Sequence, residues 1–150
     1  MSGLPVIGIV GLGTMGLGIA QVFAQAGFQV LASDAHTPAR DSAKSRLEGA
    51  LQSRVTAGKL SEADCAATLT RLRVIEDLAD FVTAGMIIEA IVERVDAKRA
   101  LFARLEPLVT PDCILATNTS SLPISKIAQD LTHPDRVLAL HFFKDRKSVV

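Results

Sequence analysis

Three glycines placed directly after an apolar run constrain this chain more than any other feature. The run Val6–Val10 contains no polar residue, as expected for a strand buried on both faces of a parallel sheet, and Gly11, Gly13 and Gly16 follow it. In this GxGxxG pattern, the first glycine permits a tight turn and the second leaves room for a pyrophosphate beside the backbone. The third lets the next helix pack closely on the strand. The pattern therefore predicts the strand, turn and helix of a dinucleotide-binding unit.

The residues after these glycines support that prediction. An amphipathic stretch follows over Ile19–Ala26, and Gly27 ends it as a glycine at a helix C-terminus would. Free amides at the start of this helix, including those of Thr14 and Met15, are predicted to hold the phosphates.

A carboxylate then stands where an adenosine ribose would lie. A second strand is predicted over Phe28–Ser33, and Asp34 follows it directly. Such a carboxylate accepts hydrogen bonds from both ribose hydroxyls and repels a 2′-phosphate, and the two residues after it bring no arginine. The cofactor is therefore predicted to be NAD rather than NADP. The alternative interpretation of Asp34 is a turn former before Thr37 and Pro38.

A helical hairpin is predicted to interrupt the alternation of strands and helices over about residues 38–70. Thr37 is expected to cap the first helix, Gly58 to close it and Ser61 to cap the second. Its inward face is predicted from the four-residue spacing of Ala43, Leu47, Leu51 and Val55. Its cations are interpreted as a solvated face rather than a phosphate site: Lys44, Arg46, Arg54 and Lys59.

Strands and helices alternate again after the hairpin. The further strands are predicted over Arg73–Ile75, Met86–Val92, Cys113–Ala116 and Val137–Leu140. Asp96 is expected to cap a helix with Leu101, Leu105 and Leu108 facing inward, and a short helix is expected over Pro123–Gln129. The fold class is therefore α/β: a Rossmann-type, doubly wound, mostly parallel sheet forming one domain over residues 1–150.

Composition excludes several classes of partner. The 16 Lys and Arg residues balance 16 Asp and Glu residues, and Trp and Tyr are absent, so we expect neither nucleic acid nor a membrane surface as a partner. No apolar run is long enough to span a bilayer, and no signal peptide is expected. Cys65 and Cys113 form no metal-binding pattern, so we expect no metal and a reducing, cytoplasmic setting.

Ligands of open parallel sheets bind beyond the carboxyl ends of the strands. The side chains predicted to lie there are Asp34, Glu93, the segment Asn118–Ser121, and His141. A hydroxyl, an amide and an imidazole beside a nicotinamide suit hydride transfer from an alcohol, with the imidazole taking the hydroxyl proton. In the alternative interpretations, Asn118 and Ser120 satisfy loop backbone groups and His141 is a core histidine.

Four motifs resemble the 3-hydroxyacyl-CoA dehydrogenase family over essentially the first 143 residues. They are Gly11–Ala20, Ile91–Lys98, Thr117–Ile124 and Leu140–Phe143. The resemblance implies oxidation of (S)-3-hydroxyacyl-CoA to 3-oxoacyl-CoA with NAD. Members acting on 3-hydroxybutyryl-CoA or 3-hydroxyadipyl-CoA fit equally well.

The same resemblance implies roles for individual residues. Glu93 and Lys98 would contact the cofactor's ribose, Asn118 would lie in the cofactor site, and Ser120 would touch both the nicotinamide side and the substrate. His141 would be the general acid and base, and the helical hairpin would help to hold the CoA end. The alternative for Glu93 and Lys98 is an exposed strand end and a helix-surface charge.

The resemblance ends at Phe143. The family continues with Asn-Pro and, further on, a glutamate that orients the catalytic histidine, whereas this chain has Lys144 at the asparagine position and an atypical tail over residues 144–150. We expect the family's C-terminal helical dimerisation domain to be absent, and self-association through the surface it would cover. Two alternatives remain: a non-catalytic NAD-binding module, and a dehydrogenase of the 2-hydroxyacid or 3-hydroxyisobutyrate type.

Overall fold

A computed structural model describes residues 3–142. Their strands are β1 Val6–Val10, β2 Val30–Ser33, β3 Leu72–Val74, β4 Ala84–Glu89, β5 Ile114–Thr117 and β6 Val137–Ala139. Their α-helices are α1 Thr14–Gln25, α2 Thr37–Thr56, α3 Glu62–Arg71, α4 Val95–Leu105 and α5 Ile124–Ile127. Short 3-10 helices cover Leu78–Thr83, Glu106–Leu108 and Pro134–Arg136.

The six strands form one sheet in the order β3-β2-β1-β4-β5-β6, and every pairing is parallel. The strand order reverses between β1 and β4, which is the topological switch point of a doubly wound sheet. The predicted fold class is therefore confirmed, with the helical hairpin of α2 and α3 inserted after β2.

Two apolar layers cover the two faces of the sheet. One layer contains Ile7 and Ile9 of β1 with residues of α1, α2 and α3, and the other contains Val10 with Ile87 and residues of α4 and α5. Strand residues alternate between these layers because successive side chains point to opposite faces. Both faces of the central strands are therefore buried, as their apolar composition predicts.

The hairpin packs as predicted, with a correction at its first cap. Ala43, Leu47 and Leu51 are fully buried, and Val55 is half-buried. Ser61 caps α3, since its Oγ accepts from the Asp64 amide at 3.0 Å. Thr37 does not cap α2: the helix already includes it, and His36 holds the N-cap position without a side-chain hydrogen bond.

The largest difference in a boundary concerns β4: the sequence predicts a strand to Val92, but the strand ends at Glu89. The Glu89 carboxylate accepts the amide of Ile91 at 3.0 Å, and this bond turns the chain out of the sheet. Glu93 consequently lies in the loop before α4 and not at a strand end, so the strand-end interpretation is wrong.

The later elements also differ from expectation in detail. Arg94, not Asp96, is the N-cap of α4, because the helix already starts at Val95. Leu108 lies beyond α4 in a 3-10 turn and is half-buried, whereas Leu101 and Leu105 face inward as predicted. The first helix begins earlier than its amphipathic stretch suggested, at Thr14. None of the helices within residues 3–142 is long and apolar enough to cross a membrane.

Candidate functional site

The glycine-rich turn lies at the switch point, between the ends of β1 and β4. Gly11 has φ +107°, a left-handed conformation that glycine adopts without strain, and a Cβ there would overlap the carbonyl oxygen of Ala90. A Cβ on Gly16 would overlap the carbonyl oxygen of Gly11, so α1 can pack here only with glycine. A Cβ on Gly13, in contrast, would meet no protein atom within 4 Å. The packing roles predicted for Gly11 and Gly16 are confirmed, and the space beside Gly13 is open.

A cleft of 540 Å³ adjoins this turn. Its lining is mostly apolar and small, with Asp34 and Arg104 as the charged members: Val10, Gly11, Gly13, Asp34, Ala35, Ala90, Ile91, Val92, Ala97, Ala100, Leu101 and Arg104. Thr14 is exposed and Met15 is half-buried in the first turn of α1. A mostly apolar slot with one carboxylate at its wall suits an adenosine group.

Asp34 is held in place by the backbone. Its Oδ2 accepts the amide of Leu12 at 2.7 Å and its Oδ1 accepts the amide of His36 at 2.8 Å. The second bond spans two residues, so Asp34 also forms a turn, as its alternative interpretation proposed. Each carboxylate oxygen has a further acceptor site, which leaves Asp34 able to accept from ribose hydroxyls.

Two arginines of the hairpin bind this same region, and sequence reasoning missed both. Arg46 is exposed, as its interpretation as a solvated charge predicts, but it also donates to the carbonyl of Leu12 at 2.8 Å. Arg40 donates to the carbonyl of Asp34 at 2.7 Å. These contacts span 34 and 6 residues along the chain, and only the packing of α2 beside the turn reveals the longer one. Together they fix the backbone on both sides of the Leu12–Asp34 bond.

A second polar cluster centres on Glu93. Its Oε2 accepts from Thr119 Oγ1 at 2.6 Å, Ser121 Oγ at 3.2 Å and the Ser120 amide at 3.4 Å. Partial burial alone would raise the pKa of Glu93, but the hydrogen bonds from Thr119 and Lys98 and the Lys98 charge outweigh it and lower the pKa. Glu93 is therefore an ionised acceptor, and its side chain remains 40% exposed.

Lys98 lies beneath this cluster, fully buried. Its Nζ donates to Glu89 Oε1 at 2.6 Å and Oε2 at 2.8 Å, and lies 3.2 Å from Glu93 Oε1. The interpretation of Lys98 as a helix-surface charge is wrong, and the structure gives it no exposed surface with which to touch a ligand. Glu89, also fully buried, was not singled out in the sequence. The signal in the sequence was a carboxylate at the end of an otherwise apolar strand, which needs a buried partner.

The remaining candidates follow β5 and β6. Ser120 and His141 are both exposed, so His141 is not a core histidine. Backbone bonds hold the segment around His141: the Leu140 amide donates to the Thr117 carbonyl at 3.0 Å, and the Phe142 amide donates to Asn118 Oδ1 at 3.4 Å. Asn118 thus satisfies a backbone group, as its alternative interpretation held. Lys144 and the rest of the tail lie outside the described residues.

Metal chemistry has no donor set in the part of the chain that the structure describes. No group of three or more His, Cys, Asp and Glu side chains there could hold an ion. Cys65 and Cys113 are buried and not joined in a disulfide, and burial raises the pKa of the Cys113 thiol.

Comparison with known proteins places these features in one family. The profile of the family described as "3-hydroxyacyl-CoA dehydrogenase, NAD binding domain" matches residues 6–149. The chain is 43% identical over 143 residues to the 3-hydroxyadipyl-CoA dehydrogenase of Escherichia coli K12, covering 95% of this chain and 30% of that protein. It is 41% identical over 138 residues to a 3-hydroxybutyryl-CoA dehydrogenase of Mycobacterium tuberculosis, covering 91% of this chain and 48% of that protein.

Solved structures agree with this assignment. The 3-hydroxybutyryl-CoA dehydrogenase of Escherichia coli K12 has a TM-score of 0.91 at 42% identity, over 95% of this chain and 30% of that one. The (S)-3-hydroxybutyryl-CoA dehydrogenase of Ralstonia eutropha has a TM-score of 0.89 at 34% identity, over 94% of this chain and 50% of that one. The chain thus spans half or less of the length of these relatives. It belongs to the family of NAD-binding domains of 3-hydroxyacyl-CoA dehydrogenases.

Proposed function

We propose that this chain is the NAD-binding part of an enzyme that oxidises (S)-3-hydroxyacyl-CoA to 3-oxoacyl-CoA. The observation that carries the proposal is the pair of carboxyl acceptors on either side of the glycine-rich turn, Asp34 after β2 and Glu93 after β4. Their positions match the two riboses of a dinucleotide laid across the switch point. The names of the relatives, which are 3-hydroxyacyl-CoA dehydrogenases, support the same reaction.

In this proposal the chain's own residues bind, orient and move a proton. Asp34 accepts from the adenosine ribose, and the amides of the Gly11–Gly16 turn, including those of Thr14 and Met15, bind the pyrophosphate. Glu93 accepts from the ribose on the nicotinamide side. NAD, when bound, supplies the acceptor for the hydride.

The proton of the substrate hydroxyl goes to His141. An exposed imidazole at the end of β6 suits this role, and the backbone bonds of Leu140 and Phe142 keep its segment beside Thr117 and Asn118. Ser120 is the side chain proposed to touch both the substrate and the nicotinamide side. The acyl-CoA approaches from the same edge of the sheet.

The test is NADH oxidation by this chain with acetoacetyl-CoA. His141→Ala should abolish turnover while leaving the Kd for NADH unchanged, because the imidazole acts on the substrate. His133→Ala is the matched control, since this exposed histidine precedes β6 at the opposite end of the sheet. Equal turnover in the His141→Ala variant would contradict the assigned role.

A second candidate is a non-catalytic NAD-binding module. The glycine turn, Asp34 and Glu93 are all complete within residues 3–142, whereas the relatives are at least twice as long as the matched segment. Saturable NADH binding without turnover would favour this candidate over the dehydrogenase.

We also propose that the chain self-associates. Leu138 is 38% exposed on β6, the last strand at one end of the sheet in the described part of the chain. An apolar side chain on an edge strand favours pairing with another chain. Light scattering coupled to size-exclusion chromatography tests this, and a monomer at high concentration would contradict it.

A further inference from the structure

The carboxylate at the end of β4 is held by donors on both of its oxygens. Glu89 is fully buried, yet both its oxygens accept from Lys98 Nζ, and it also accepts from the Ile91 amide and from Thr117 Oγ1. A buried carboxylate needs such donors to remain ionised. Glu89 is therefore a carboxylate held in one place by its donors beneath the cofactor site, with no surface open to solvent.

Lys98 connects this charge to the site. Two of its ammonium protons point to Glu89, and the third faces Glu93 Oε1 at 3.2 Å. The Lys98 side chain is 0% exposed, whereas that of Glu93 is 40% exposed. Lys98 can thus act on a ligand only through Glu93.

We propose that Glu89 is a positioning residue for cofactor binding: it holds the Lys98 ammonium beneath Glu93 and so sets the direction in which Glu93 presents its free acceptors. Folding stability alone does not account for this arrangement, because apolar residues of similar volume often replace a buried ion pair without loss. The third bond of Lys98 goes outward to Glu93, whose other partners, Thr119 and Ser121, come from the loop after β5.

Since Glu93 is a ribose ligand only under the proposed function, the inference rests on that proposal. The test uses two ligands that separate the halves of the site. NADH requires both riboses, whereas AMP probes only the adenosine half near Asp34. Glu89→Gln should raise the Kd for NADH about tenfold, the size of one misplaced hydrogen bond to a charged group, and leave the Kd for AMP unchanged.

Glu106→Gln is the matched control. Glu106 is also a poorly exposed carboxylate that accepts two backbone amides, those of Thr132 and His133, but it lies before β5 at the opposite end of the sheet. This variant should leave both dissociation constants unchanged. A fall in AMP affinity in Glu89→Gln that parallels the loss of NADH would overturn the positioning role, as would unchanged NADH affinity.

A second variant covers the case in which Glu89→Gln does not fold. Replacing the ion pair with Glu89→Met and Lys98→Met together removes both buried charges, and it should weaken NADH binding but not AMP binding. A wild-type chain that binds neither ligand would contradict the proposed function instead.

A readout without ligand tests the positioning role independently of the proposed function. The pKa of Glu93, followed by NMR of its labelled side-chain carboxyl, should fall further in Glu89→Gln, because the negative charge that shares Lys98 is gone. It should rise in Lys98→Met. An unchanged Glu93 titration in Glu89→Gln would overturn the inference, since Lys98 would then not link the two carboxylates.

Discussion

Removing one member of the buried ion pair of Lys98 and Glu89 should cause a large loss of unfolding free energy. In Lys98→Met the apolar stem of the side chain is retained by a flexible residue, so little cavity forms. The main loss is electrostatic: Glu89 stays 0% exposed, with only the Ile91 amide and Thr117 Oγ1 as donors. Breaking a buried pair on one side costs about 3–5 kcal/mol, because it leaves an uncompensated charge.

That loss is a large share of the stability of a domain of this size, which is typically about 5–15 kcal/mol. The double variant Glu89→Met with Lys98→Met removes both charges and should recover most of it, to within about 1 kcal/mol of the wild type. Arg94→Met is the matched control. Its ion pair with Asp96 has side chains 64% and 69% exposed, so its removal should cost less than about 1 kcal/mol.

Urea denaturation followed by circular dichroism measures all four proteins, with the change in free energy taken from the midpoints at a common slope. We expect the wild type, Arg94→Met and the double variant to have similar free energies of unfolding. The free energy of unfolding of Lys98→Met should be far lower. If Lys98→Met lost no more stability than Arg94→Met, the burial of Lys98 and its pairing with Glu89 would be refuted.

Three further predictions concern other parts of the molecule. Gly16→Ala should lose more than about 1 kcal/mol of unfolding free energy, because its Cβ would overlap the Gly11 carbonyl. Gly18→Ala on the open face of α1 should instead gain up to about 1 kcal/mol. Equal urea midpoints for the two variants would contradict this prediction. Asp34→Ala should reduce the preference for NADH over NADPH by about tenfold, measured as the ratio of the two Kd values, and an unchanged ratio would contradict the ribose role. Burial would raise the pKa of Glu106, but hydrogen bonds from two backbone amides and the Arg136 charge outweigh burial and lower this pKa below its usual 4.5. The stabilisation that Glu106 provides is therefore fully present above pH 4.5, and it is lost as the pH falls through the lowered pKa. The destabilisation by Glu106→Gln should therefore be constant near neutral pH and shrink on acidification, and a pH-independent loss would refute this.

The glycine-rich turn was predictable because its requirements are local. The left-handed backbone at Gly11 and the close approach at Gly16 depend on residues next to them in the folded turn, and the spacing of the glycines carries that information. The position of Asp34 was predictable for a similar reason, because it directly follows β2, and β2 pairs with β1. The hairpin followed from helical periodicity and its Ser61 cap.

The ion network beneath the site was not predictable in the same way. The resemblance implies that Lys98 contacts the cofactor's ribose, and the sequence does not reveal that its ammonium group is buried against Glu89. The sequence also predicts that β4 continues to Val92, because the run after Glu89 is again apolar, whereas the strand ends at Glu89. The sequence does not reveal the contact of Arg46 with Leu12, because the two residues are separated by α1, β2 and the start of α2.

The most direct test of dinucleotide binding at the Gly11–Asp34 site is a calorimetric titration of the 150-residue chain with NADH and with NADPH. We expect saturable binding of NADH at one site, and binding of NADPH weaker by at least about tenfold because its 2′-phosphate would meet the Asp34 carboxylate. Absence of saturable NADH binding, or equal affinity for the two cofactors, would contradict it.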